Sequence, residues 1–96
     1  MIRYMSEIPE FHLEETGNVY DTSEFHERII ELIEKNLSGE SNETKLCFLI
    51  TMDGTVMIAD LPKNAYKQSI LKSLEFYIEN ENYEMCTKIK TIIEKL

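Results

Sequence analysis

Tryptophan is absent from this sequence, and glycine, proline, cysteine and histidine are scarce, with three, two, two and two in 96 residues. Each shortage removes a class of function. Gly17, Gly39 and Gly54 stand far apart, so no glycine-rich loop can cradle a phosphate. His12 and His26 lie at no metal-ligand spacing from a cysteine or from each other, so no metal is expected. Two cysteines are too few for a disulfide framework. Cys47 and Cys86 both fall in apolar patterns and read as buried thiols acting as small hydrophobes. There is no Gly-x-Ser-x-Gly elbow. Carboxylates are plentiful, but acid–base chemistry needs them in a desolvated cleft, which a chain this small seldom builds. Asp53, beside Gly54, reads as a turn residue. The expectation is no enzyme and no cofactor.

Long apolar runs are missing too. None approaches the roughly 20 residues that span a bilayer, and the opening Met1–Glu7 lacks the layout of an export signal. A cytoplasmic protein with no membrane partner is expected. Basic residues are the last shortage: 10 against 18 acids, a net charge of −8. The imbalance lies wholly in residues 1–44, where 11 acids face Arg3, Arg28 and Lys35; residues 45–96 are neutral. Phosphate binding needs Lys and Arg to displace counterions, so direct binding of nucleic acid is disfavoured.

What is present is one domain's worth of patterned chain, 1–96. Residues 1–20 show no clean period and fit an extended arm or an edge strand near residues 1–5. Asp21 is placed to cap a helix, with Glu24 completing a capping box. Phe25, Ile29, Ile30, Ile33 and Leu37 then form one apolar stripe, with His26, Glu27, Glu31, Glu34 and Lys35 on the other side. Gly39 follows where a left-handed cap is expected. Lys45–Met52 and Thr55–Asp60 are β-prone runs joined by Asp53-Gly54, the pattern of a two-residue hairpin turn. That turn sets Ile50 opposite Met57 and Phe48 opposite Ala59 and leaves both faces of the ribbon apolar. Helices are then expected to cover both faces, or a second copy to cover one. Pro62 suits the start of another helix, carried by Ala65 or Tyr66 and by Ile70, Leu71, Leu74, Tyr77 and Ile78. Asn80-Glu81-Asn82 breaks it, and Tyr83, Cys86, Ile89, Ile93 and Leu96 define the last helix. The predicted class is α+β: an N-terminal helix, a central antiparallel β-hairpin at about 45–60, and an αα-hairpin at about 62–96.

The stretch from Leu74 to Leu96 resembles the UVR-type helical hairpin of bacterial excision-repair proteins, some adaptors and some Clp-type chaperones. Tyr83, Glu84, Cys86, Thr87, Ile89, Ile93 and Leu96 match its second helix. Lys90 stands where arginine is usual and Thr91 where aspartate is usual, which puts the motif's charged contacts in doubt. The resemblance lies within the C-terminal third of the chain. It implies a protein-docking element without catalysis.

The expected function is therefore a small acidic protein–protein interaction module, an adaptor or regulator encoded by a phage or a bacterium. Its expected contacts are Phe76, which falls off the apolar stripe of its helix, with Tyr83, Glu84, Lys90, Glu27, Glu31 and Glu34. One rival expectation is an acidic mimic of nucleic acid that inhibits a host or defence protein. Another is a structural or assembly component. The expected partner is another protein, with a homodimer left open.

Overall fold

The computed structural model describes residues 8–96, so the expectation for residues 1–5 lies outside the described residues. The class is α+β, with the expected helix, hairpin and C-terminal helix pair in place. The elements run β1 (Glu10–His12), α1 (Leu13–Thr16), a 3-10 turn (Val19–Asp21), α2 (Ser23–Leu37), β2 (Lys45–Ile50), β3 (Val56–Asp60), a second 3-10 turn (Lys63–Ala65), α3 (Tyr66–Glu79) and α4 (Tyr83–Glu94). The sheet order is β1-β2-β3; β1 lies parallel to β2, and β3 antiparallel to it.

Helix α2 starts one residue later than the capping box at Asp21 implies. Thr22 is the cap: its hydroxyl donates to the Val19 carbonyl at 2.8 Å and accepts from the Phe25 amide at 3.4 Å. One short side chain thus closes the 3-10 turn and opens the helix, while Asp21 stays in the turn. The buried arc of α2 is wider than the predicted stripe. It holds Phe25, Ile29, Ile30 and Ile33, and also Leu32, Arg28 and His26. His26, expected on the solvent side, faces α3. At the far end Gly39 adopts φ +84°, and the Glu40 amide reaches back to the Lys35 carbonyl at 2.9 Å, the expected left-handed termination.

The hairpin forms where expected, but in a different register. Leu49 pairs with Met57, Ile50 with Val56 and Phe48 with Ile58. The loop has three residues, Met52-Asp53-Gly54, and only Gly54 is left-handed, at φ +87°. A two-residue turn would force Asp53 to positive φ as well. Instead its carboxylate accepts from the Thr51 hydroxyl and from the Thr55 amide (3.1 Å), while the Thr51 amide bonds the Thr55 carbonyl at 3.0 Å. The extra loop residue slips β3 by one, which moves each of its side chains to the opposite face.

A second irregularity follows at the other end of β2. Lys45 pairs with Asp60 and Cys47 with Ala59, so Leu46 is an unpaired bulge residue. Leu46 and Cys47 can then both turn into the core, and both are buried. Arg28 completes this corner: its guanidinium donates from Nε to the Leu46 carbonyl (2.7 Å) and from Nη2 to the Lys45 carbonyl (2.8 Å). β1 begins its pairing only at Phe48, so Arg28 supplies donors beyond the point where that strand ends.

The core lies between α2, α3 and α4 and one face of the sheet. Phe11, Cys47, Leu49 and Ala59 enter it from the strands, Ile29, Ile30 and Ile33 from α2, and Tyr66, Ile70, Tyr77, Cys86, Ile89 and Ile92 from the helix pair. The two C-terminal helices meet through Asn80-Glu81-Asn82. Glu81 takes φ +56°, the Asn82 amide bonds the Tyr77 carbonyl at 2.9 Å, and the Asn82 side chain caps α4.

Candidate functional site

The side chains with unusual environments are the first candidates for chemistry. His26 sits at the centre of the polar interior. Its Nε2–H donates to the Tyr20 carbonyl at 2.8 Å, which leaves Nδ1 to accept from the Ser73 hydroxyl, also at 2.8 Å. A serine donating to a histidine invites comparison with a nucleophile and its base. Here Ser73 is 0% exposed, and the far ring nitrogen is committed to a backbone carbonyl. The pair joins α2 to α3 and reaches no substrate. Burial lowers the His26 pKa, opposed by its bond to the Tyr20 carbonyl and by the charge of Asp21. The Cys47 thiol is pushed up to about 11 and the Tyr77 phenol to about 12, in each case chiefly by burial. Both shifts carry the groups away from reactivity at neutral pH. No three His, Cys, Asp or Glu side chains among the described residues come together as a metal site.

The expected contact residues divide into two groups. Phe76 is half-buried, with its ring stacked on His26 (centroids 4.3 Å apart, planes 22° apart) and edge-on to Tyr77. Its burial comes from within the chain, through a histidine that the heptad-like spacing of α2 placed on the outside. Tyr83, Glu84 and Lys90 lie exposed on α4, and Glu27 is exposed on α2. Glu31 is bridged by Arg28 (3.1 Å) and Lys35 (3.4 Å), and Glu34 by Lys88 (3.5 Å). The acidic side of α2 is thus partly neutralised in place.

A cluster of apolar side chains lies elsewhere, on a feature that depends on the hairpin's register. Side chains of paired residues share a face. Phe48, Ile50, Val56 and Ile58 therefore stand on the side of the sheet opposite the core, with Glu10 and His12 of β1 beside them. Phe48 and Ile50 are half-buried, whereas Val56 is 56% and Ile58 51% exposed. The helices cover one face only, so the expected double cover does not occur among the described residues. With β3 slipped by one, its two large β-branched residues join those of β2 on the uncovered side. Leu71 and Ile78, the exposed apolar residues of α3, are two turns apart and form no comparable cluster.

The fold and this surface together define a two-layer α+β domain whose hairpin has an apolar face that no described helix covers. No family model, curated protein or solved structure matches the chain.

Proposed function

We propose that the chain is a non-catalytic protein–protein interaction module, an adaptor or regulator, whose docking surface is the uncovered face of the β-hairpin. The observation that carries this reading is the cluster of Phe48, Ile50, Val56 and Ile58 on one side of a sheet whose other side is the core. Contiguous apolar surface of this kind is costly in water and marks sites that associate. The likeness of the last two helices to a UVR-type hairpin adds a second element of the same kind, with Tyr83, Glu84 and Lys90 on the outer side of α4. A cytoplasmic setting and a protein partner belong to the same proposal.

Mimicry of nucleic acid is the second reading, favoured by Glu24 and Glu27, which are exposed on α2 without an ion pair among the described residues. Salt separates the two readings. Capture of a protein partner from the native host is expected to survive high salt and to be lost in Ile50→Lys, which places a charge in the apolar cluster. Capture that fails at high salt, persists in Ile50→Lys and is lost in Glu24→Gln/Glu27→Gln would replace docking with mimicry.

A further inference from the structure

Hydrogen-bond polarity assigns the free edge of the sheet. Along a strand the amide and carbonyl of one residue point to the same side, and neighbours alternate. The Phe48 amide bonds the Pro9 carbonyl on the β1 side, whereas the Thr51 amide bonds the Thr55 carbonyl on the β3 side. Cys47 and Leu49 therefore direct their backbone groups at β3, and their partners Met57 and Ala59 direct theirs at β2. Val56, Ile58 and Asp60 are left with amides and carbonyls pointing off the sheet.

Among the described residues nothing along this rim blocks another strand. Natural edges are guarded by proline, a bulge or an outward charge. Thr55 to Ala59 contain neither proline nor charge, and the irregularity at the far end of the hairpin lies on β2. Asp60, the first charge beyond, stands opposite Lys45 of β2 in the strand register. In a chain of net charge −8, this rim is a locally neutral stretch, so it calls for neither a basic nor an acidic partner.

We propose that the β3 edge pairs antiparallel with the β3 edge of a second copy, about a twofold axis at Met57. This step rests on the docking reading of the same hairpin and names the neighbour that its edge takes. With Met57 on the axis, Val56 and Ile58 of one copy exchange backbone hydrogen bonds with Ile58 and Val56 of the other. Thr55 falls opposite Ala59, and Asp60 opposite Gly54, so no like charges are opposed. The sheet becomes six-stranded, and the two uncovered faces join into one apolar platform for a common partner. A rim of five residues is small beside a standard interface of about 800 Å² per partner, so the dimer forms at micromolar concentration or above.

Sedimentation equilibrium from low micromolar to millimolar protein tests this, with circular dichroism as the check on folding. The wild type is expected to convert from monomer to dimer, and Ile58→Lys to remain monomeric. A cysteine at the axis, Met57→Cys, tests the register without requiring the lysine variant to fold. The Cα atoms of such a pair lie about 4.5 Å apart, within disulfide reach, so mild oxidation is expected to link two copies there and not in Val56→Cys. A wild-type chain that stays monomeric throughout overturns the proposal. So does a dimer that survives Ile58→Lys or that is linked through position 56 and not 57. Partner capture that is lost in Ile50→Lys while the free chain is monomeric would leave docking standing and exclude only the second copy. A dimer that behaves as expected while capture ignores Ile50→Lys would remove the docking reading alone.

Discussion

Arg28 has the heaviest structural duty of any single charged residue described. It is buried, it is bound to two carbonyls at the β2 bulge, and it holds Glu31 at the surface. Replacing it by leucine keeps much of the packing but removes the donors and strands both carbonyls. Arg28→Leu is expected to lower stability by about 2–4 kcal/mol, read from the urea midpoint. Arg28→Lys should recover little, since one ammonium cannot reproduce a planar fork aimed at two acceptors. Glu81 presents the opposite case. A side chain at φ +56° costs roughly 1–2 kcal/mol, and glycine gives back some of that as lost chain entropy. Glu81→Gly should therefore raise the melting temperature by a few degrees. His26 links stability to pH. Its pKa is lowered on folding, so the unfolded chain binds more protons in the window below the ordinary value of 6.5. The stabilisation is complete above that value and lost as pH falls toward the folded pKa. The loss of urea midpoint between about pH 7 and pH 5 should be larger in the wild type than in His26→Gln.

At the scale of elements, the hairpin shows how one residue in a loop redirects a strand. Gly54 is left-handed, and a Cβ built there meets nothing within 4 Å, so the penalty of a side chain is purely one of backbone. Gly54→Ala is expected to cost about 1–2 kcal/mol, measured by thermal unfolding. The same loop marks the limit of what could be read from the residues. Asp53-Gly54 signalled a hairpin, and a hairpin is there, but the pair does not specify whether two or three residues form its loop. That choice is made by Asp53, whose carboxylate takes up Thr51 and Thr55, a contact with no periodicity to betray it. The bulge at Leu46 was equally hidden, because its reason is Arg28, 18 residues away. Helices fared better, since apolar spacing is a local property: Phe25, Ile29, Ile30 and Ile33 are buried as the stripe required, whereas Leu37 at its end, Leu71 and Ile78 on α3, and Tyr83 and Leu96 of the last stripe are exposed. Ser73 and His26 escaped that pattern because two polar residues that satisfy each other can occupy apolar positions. The apolar character of the ribbon's two sides was legible. Which residues lie on the uncovered side was not, since that follows from the loop.

For the whole molecule the dominant facts are its excess of negative charge and a sheet that, among the described residues, is covered on one face. Glu31 and Glu34 are bridged, yet the chain still carries 18 acids against 10 bases. Self-repulsion then opposes compaction, and moderate salt is expected to raise the thermal midpoint by screening it. A midpoint that falls with salt would instead put the surface ion pairs in control. The parallel pairing of β1 with β2 also governs how the chain assembles. The hairpin and the αα-hairpin each close over a short separation in sequence, whereas Glu10 must find Phe48 across the whole of α2. Closing so long a loop is slow relative to forming either local unit. The three residues of β1 therefore join late, after the transition state, and weakening them should hasten unfolding while leaving the refolding rate almost unchanged.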